Sequence, residues 1–356
     1  MLDYMKITFI LPGLSRYPVG GYKVVYEYAN YFAQRGNQVS LVHVEQVPSG
    51  HVKMRVHLKN IAIKLKIMGK DSISWFNFDK GVTLKFISDF SESKIPDADV
   101  IIATAWYTAS FVAKLSKNKG RKYYFIQHYE IQHGNNDLVD DSWRLPLKKI
   151  VIATWLQKIG NRLGVETEII KNFVNHDEFF PTNSINRAPG ISMLVHNESW
   201  KGSIEGIEVL KRVYKKYPKV KIMLFGLPDR PSDIPQNWYY AQKATPKQLR
   251  ERIYGQSTIF LFPSHKEGWG LTATEAMACG NALVSTNNGG IDDFGFNGKN
   301  AIIVGVRDEI GMENALCSLL SNTDVMREYQ LESIRISNKL TLESSGEKFL
   351  KIISKK

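Results

Sequence analysis

The sequence predicts an α/β protein of two domains, each a doubly wound parallel sheet in the Rossmann manner. Three observations lead there. The chain has 356 residues, which at roughly 150 residues per domain makes about two. Short apolar runs rich in β-branched and aromatic residues alternate with stretches of 3.6-residue periodicity. The alternation pauses in KNFVNHDEFFPTNSINRAPG, a segment with two prolines and scattered asparagines that suits a linker, and then restarts.

Each element follows in turn. MKITFILP (5–12) is an apolar strand, LPGLSRYPVGG a glycine-containing loop, and YKVVYEYANYFAQRG a helix. In that helix Val24, Tyr28, Tyr31 and Phe32 share one face and Gly36 is placed to end it. QVSLVHV is the next strand, completing a β-loop-α-β unit, and GVTLKFI, ADVIIAT and KYYFIQH are further strands, with a helix near TASFVAKLSKN. In the second half ISMLVH, VKIMLFG, STIFLFPS and ALVST read as strands. SIEGIEVLKRVYKKY, TPKQLRERIYGQ and LTATEAMACG read as the helices between them. The expected domains are 1–174, 175–335 and a C-terminal helix over 336–356 that packs back on the first domain. No short-period repeat or low-complexity tract is present.

Composition narrows the function. With 43% hydrophobic and 23% charged residues the chain is globular. No apolar run reaches the ~18 residues of a membrane span, and Asp3 and Lys6 lie too close to the first apolar run for a signal peptide. Cys279 and Cys317 are the only cysteines, too few for a disulfide framework or a cysteine-based zinc site. A cytoplasmic location is expected. The net charge of +12 is uneven: residues 1–175 hold 24 basic and 15 acidic side chains, the remainder 23 and 20. Such a bias fits nucleic acid, an anionic membrane surface or a phosphorylated ligand.

The segment FLFPSHKEGWGLTATEAMACGNALVSTNNGG (260–290) carries the chemistry. A buried strand ends near Pro263, a polar loop follows, and a helix begins near Leu271. Open α/β sheets place ligands at such carboxyl strand ends. Gly268 and Gly270 let backbone approach a ligand, and the helix N-terminus favours an anion. Glu267 and Glu275, flanking the turn, suit hydroxyls rather than phosphate. The spacing suggests a diphosphate in the middle, a sugar by Glu267 and a ribose by Glu275, which describes a nucleotide sugar. Alternatively, Glu275 is only a helix-dipole partner and Glu267 a solvated loop residue.

E-G-W-G-L-T-A-T-E-A-M-A-C-G closely resembles the E-x7-E signature of family 4 glycosyltransferases, retaining enzymes of GT-B architecture, in which two Rossmann-like domains face each other across a cleft. The resemblance implies that Glu267 contacts the donor sugar near the reacting carbon and that Glu275 binds ribose hydroxyls. It also implies that amides of the Gly268–Leu271 turn, Gly270 included, approach the donor. The loop ending in Gly20-Gly21 resembles the family's glycine loop beside diphosphate and acceptor. His128, in KYYFIQHYE, stands where the family often has a histidine bonded to the donor sugar. FIQHYE also resembles the F-I-Q-D-Y-E of some rhamnosyltransferases, with His128 in place of Asp. In HNESWKG, Lys201 matches the family's diphosphate-binding lysine, whereas His196 replaces the usual arginine, acting either as a neutral donor or protonated beside the phosphates. The expected site is thus His128 and Glu267 as catalytic residues, His196, Lys201, Gly268, Gly270, Leu271 and Glu275 on the donor, and Gly20 and Gly21 at the phosphate and acceptor loop.

The expected activity is metal-independent, retaining transfer of a sugar from a UDP-, GDP- or dTDP-donor, rhamnose among the candidates, to a hydroxyl of a glycan or glycolipid, in bacterial cell-surface polysaccharide synthesis. No cofactor is expected beyond the nucleotide-sugar co-substrate. Alternatives are a GT-B sugar-nucleotide epimerase and a non-catalytic nucleotide- or glycan-binding scaffold. Asp97-Ala98-Asp99 spells a D-x-D metal motif, but it precedes a buried strand, so Asp99 reads as capping or solvating a strand end. HVKMRVHLKNIAIKLKIMGK (51–70) has six lysines and arginines and no acid. Its period of two reads as a strand with one basic face, either resting on anionic lipid or merely solvated. Nucleic acid is not expected, because no aromatic-basic recognition motif accompanies the charge. With the donor assigned to the second half, the basic first half suits an acceptor that carries phosphate or is presented at the inner face of the plasma membrane.

Overall fold

The computed structural model describes residues 4–45, 73–131 and 136–355. The basic stretch 51–70 lies outside the described residues. The chain divides into two compact units, Met1–Lys171 with Leu342–Lys356, and Asn172–Thr341.

The first unit holds a seven-stranded sheet of β1 (Lys6–Pro12), β2 (Gln38–Val44), β3 (Val82–Ile87), β4 (Val100–Ala103), β5 (Arg121–Ile126), β6 (Lys148–Val151) and β7 (Thr167–Ile169). Its order is β3-β2-β1-β4-β5-β6-β7, with every neighbouring pair parallel. Parallel strands covered on both faces need continuous apolar runs, and Ile7, Phe9, Ile10 and Leu11 of β1 and all of β4 are buried. Helix Gly20–Gln34 ends as expected, with Gly36 turning in the left-handed region at φ +85°. Asp99 accepts the Lys6 amide at 2.7 Å through Oδ2, and Asp97 pairs with Lys119 at 2.7 Å, so both carboxylates of the D-x-D string serve strand ends.

Residues 336–356 divide between the units. Helix Thr323–Ser337 stays in the second, whereas helix Leu342–Ser354 belongs to the first. There Phe349 packs its ring against Phe9, Tyr28, Phe32 and Phe125 at 4.9–6.3 Å between centroids. Arg35 grips the Glu343 carboxylate with bonds of 2.5 and 2.7 Å.

The second unit holds β8 (Gly190–Val195), β9 (Lys221–Gly226), β10 (Tyr239–Gln242), β11 (Ile259–Phe262), β12 (Ala282–Thr286) and β13 (Ala301–Val304), all parallel, in the order β10-β9-β8-β11-β12-β13. Its core joins Ile191, Leu224, Leu261 and Val284 of the strands to Leu210 and Val213 of helix Ser203–Lys216 and Leu316 and Leu319 of helix Glu309–Ser321.

One helix departs from expectation. TPKQLRERIYGQ forms a single α-turn, Pro246–Gln248, then a widened π-turn, Leu249–Ile253, then a 3₁₀ turn, Tyr254–Gln256. The widened winding accompanies the complete burial of Tyr254, and Gly255 lies so close to the Arg250 carbonyl that a Cβ would sit 2.5 Å from it. The linker segment is also no free tether, since Phe173, Val174 and Phe179 are buried.

In both sheets the first strand lies inside, the next two extend to one side, and the fourth returns to pair on its other side. The chain therefore reverses direction across the sheet between β1 and β4, and between β8 and β11. Loops at the carboxyl ends of those strands splay apart and leave a crevice.

Candidate active site

At the second unit's switch point, β8 leads into His196–Gly202 and β11 into Pro263–Gly270. The loops meet because residue 202 is glycine: its φ is +64°, and a Cβ there would lie 2.2 Å from the Pro263 carbonyl oxygen. This contact brings Lys201 to Glu267, with Nζ 2.7 Å from Oε1 and 2.9 Å from Oε2. Ser264 Oγ donates to the same Oε1 at 2.7 Å, and the Glu267 amide donates to the Asn288 carbonyl at 3.0 Å. Glu267 is buried, and its carboxylate finds a cation and a hydroxyl donor at hydrogen-bond distance, as a buried acidic side chain requires. Three donor contacts use most of the roughly four lone-pair sites of a carboxylate, leaving about one for a ligand hydroxyl.

Behind this turn Gly290 faces the Trp269 carbonyl so closely that a Cβ would lie 2.2 Å from its oxygen. Gly268 is buried within the turn. Gly270 has φ +112°, and a Cβ there would strike the Phe262 ring at 2.7 Å, so packing and backbone conformation by themselves require glycine. Helix Leu271–Ala278 begins immediately after. The amides of Ala273 and Thr274 turn back to the Gly270 carbonyl, while those of Leu271 and Thr272 donate no hydrogen bond among the described residues. Two unpaired amides and the positive end of the helix suit an anion.

Glu275, fifth in that helix, is buried and accepts from the Tyr254 hydroxyl at 3.4 Å through Oε2. Burial, then the Glu275 charge, pushes the Cys279 thiol up to about 12 and the Tyr254 phenol well above its ordinary range. Glu275 thus lies past the first turn, on the helix's buried side, and not as a solvated dipole partner.

His196 follows β8, its amide donating to Ser203 Oγ at 2.8 Å. The Glu198 amide donates to His196 Nδ1 at 3.1 Å, so the neutral ring carries its hydrogen on Nε2. Burial, then the Lys201 charge, holds its pKa below the usual histidine range. Of the two states open to it on sequence grounds, the structure favours the neutral donor over the protonated substitute for arginine.

In the first unit Gly20 and Gly21 are not the end of a loop but the first residues of helix Gly20–Gln34. The Gly21 carbonyl accepts from Gln127 Nε2 at 2.9 Å, fastening the helix start to the end of β5. His128, the next residue, meets the Trp155 ring edge-on at 6.0 Å between centroids. Among the described residues no three His, Cys, Asp or Glu side chains gather as metal ligands would.

Residues 191–322 match a family model described as Glycosyl transferases group 1. That stretch is similar to the glycosyltransferase domains this family model describes. Similar curated proteins include a trehalose synthase of Thermococcus litoralis, 31% identical over 39% of this chain and 37% of that protein. A D-inositol 3-phosphate glycosyltransferase of Mycobacterium sp. (strain KMS) is 25% identical over 53% and 47%. The chain spans less than half the length of the curated relatives it matches. Among solved structures, S. aureus TarM with UDP superposes at TM-score 0.75 and 15% identity, over 99% of this chain and 100% of that one. Anabaena HepE with UDP-glucose does so at 0.74 and 14%, again over 99% and 100%. These likenesses show the fold, that of GT-B glycosyltransferases.

Within the stretch that matches this family model the structure brings together Lys201, Glu267 and the Gly268–Leu271 turn, with His196 beside Lys201. Pattern reading took in Ser264, Asn288 and Gly290 within the segment 260–290 and Gly202 within HNESWKG, but gave none of them its place in holding Glu267 and its turn. Gly202 stood in plain sight after Lys201, but only the paired loops reveal its purpose.

Proposed function

We propose that the chain is a retaining, metal-independent glycosyltransferase that moves a sugar from a nucleoside diphosphate donor to a hydroxyl of a glycan or lipid-linked acceptor. The observation that carries the reading is the Lys201–Glu267 pair at the switch point of the stretch that matches the group 1 family model, one residue ahead of the glycine turn and its helix N-terminus. In this reading the bond between the anomeric carbon and the diphosphate oxygen breaks while a bond to the acceptor oxygen forms. The departing diphosphate takes the acceptor's proton. Lys201, His196 Nε2–H and the amides at Leu271 and Thr272 stabilise its growing charge. Glu267 orients the donor sugar and Glu275 the ribose. Entry of the diphosphate draws Lys201 from Glu267, freeing carboxylate lone pairs for sugar hydroxyls as the cation finds its new partner.

A UDP-sugar is the first donor to try, because TarM and HepE were solved with UDP and UDP-glucose. The basic first half supports an acceptor presented at an anionic membrane face. No helix among the described residues is long and apolar enough to cross a membrane.

The test offers UDP-, GDP-, dTDP- and ADP-sugars to the purified protein in EDTA and follows nucleoside diphosphate release. One donor should turn over, with Glu267→Ala lowering the rate by about 10²-fold or more and Glu275→Ala mainly raising the donor KM. Equal rates for wild type and both variants would sink the assignment.

A further inference from the structure

The first unit has a switch point of its own, and the groups there are not those of a phosphate site. Glu130 follows β5. Its Oε2 accepts from the Trp106 amide at 2.8 Å, at the start of helix Trp106–Lys114, and from the Tyr124 hydroxyl at 3.4 Å. Its Oε1 accepts nothing among the described residues and is not sealed from solvent. The neighbouring groups come from each surrounding element. Tyr22, on helix Gly20–Gln34, donates to the Gly13 carbonyl at 2.6 Å, and Glu45, after β2, accepts the Leu14 amide at 3.2 Å. The Tyr107 hydroxyl has no partner among the described residues. Burial, then the charges of Glu130 and Glu45, pushes the Tyr107 phenol well above its ordinary range, and the Tyr22 phenol feels Tyr107, Glu45 and Glu130 in the same way. Trp106 and Tyr107 set their rings edge to face, 5.6 Å between centroids.

The two acidic side chains disfavour phosphate, and no lysine or arginine stands among these groups to offset them. Carboxylates, phenols and indole together suit a sugar, whose hydroxyls donate to carboxylates and whose C–H face rests on aromatic rings. We propose that Glu130, with Tyr107, binds a hydroxyl of an uncharged sugar residue at the acceptor's receiving end, so that any phosphate the acceptor carries lies elsewhere along it. This deepens the glycosyltransferase reading and rests on it. The outer oxygen of Glu130 is the only one of the pair without a donor, and a ligand hydroxyl would complete its shell. Burial pushes the Glu130 carboxyl up to about 7, the expected state of a carboxyl lacking such a donor.

The experiment uses the full chain with no donor present. Methyl α-glycosides of glucose, galactose, mannose, rhamnose and N-acetylglucosamine, and inorganic phosphate as a counter-probe, are titrated while the ¹³Cδ resonances of glutamate are followed. At least one glycoside should shift the Glu130 resonance and bind more tightly as pH rises through about 7. Glu130→Gln should weaken it about tenfold or more and flatten the pH dependence, and Tyr107→Phe should weaken it less. If no glycoside binds, if phosphate alone shifts Glu130, or if Glu130→Gln binds with the wild-type pH profile, the proposal is wrong. Nucleotide release by the wild-type protein reads the donor site separately, so the two readings can fail independently.

Discussion

Glu130→Gln should stabilise the protein, by an amount that depends on pH. The wild-type carboxyl is raised from an ordinary 4.5 to about 7, burial being the largest cause and the Trp106 and Tyr124 bonds opposing it. A raised native pKa means that the folded state binds more protons than the unfolded state between these values. Stability is therefore fully present below 4.5, falls as pH rises through the window, and is lost above about 7. At about 1.36 kcal/mol per unit the loss reaches about 3 kcal/mol. Gln keeps the shape and an oxygen for the Trp106 amide but does not titrate. Calorimetry at pH 8 should show the variant melting roughly 6–12 °C higher for a unit of this size, with little difference at pH 4.5. An equal gain at both pH values would assign the effect to packing, and no gain at pH 8 would show that Glu130 is not a strained carboxylate. Higher stability with lost glycoside binding would mark a group retained for function.

Two further outcomes follow. Gly202→Ala forces a left-handed alanine against the Pro263 carbonyl. It should cost at least about 2 kcal/mol and melt the protein several degrees lower, with donor turnover lost as Lys201 moves from Glu267; unchanged melting in a thermal scan would contradict the loop contact. Binding to phosphatidylglycerol vesicles should be strong at low salt and vanish near 1 M, where the screening length is about 3 Å. Substituting Gln for Lys148 and Lys355 together should weaken vesicle binding roughly thirtyfold, at about 1 kcal/mol for each basic residue near the surface. Salt-insensitive binding, or none, would remove the membrane from the reading.

The fold was legible where physics leaves a local trace. Strands buried on both faces, such as ITFIL, VIIA and IFLF, must be apolar throughout, and the helices between them must keep one apolar face. β10, β6 and β7 left no such trace. Tyr239–Gln242 is a short edge strand with one buried residue, and Lys148–Val151 opens on two lysines. In the site, EGWGL was readable because a strand-to-helix turn needs glycine in fixed places. The Lys201–Glu267 contact joins residues 66 apart, and no local pattern encodes that pairing. Glu130 closes the FIQHYE string that resembles F-I-Q-D-Y-E, yet its role was unreadable for a different reason. A glutamate after a tyrosine is unremarkable in sequence, and only the amide of Trp106 and the phenols around it make it a strained group.

The same geometry revises what the first half's charge means. In a parallel sheet all strands run one way, so the two ends of the sheet are chemically distinct surfaces. At the amino ends stand Lys6 of β1, Arg121 and Lys122 of β5, and Lys148 and Lys149 of β6. Lys148 and Lys149 line a cavity of about 590 Å³ with Arg144 and Lys355, opposed by Glu166 and Glu168. At the carboxyl ends stand Glu45 after β2 and Glu130 after β5, where open α/β sheets bind ligands. Among the described residues, then, the strand-end lysines and arginines gather at the edge opposite the crevice. In the proposed reading these strand-end cations do not select the group that receives the sugar; they suit whatever holds the protein in position. An acceptor with an anionic anchor and a neutral sugar terminus satisfies both edges at once, whereas an acceptor phosphorylated at the reacting residue would set its charge against Glu130.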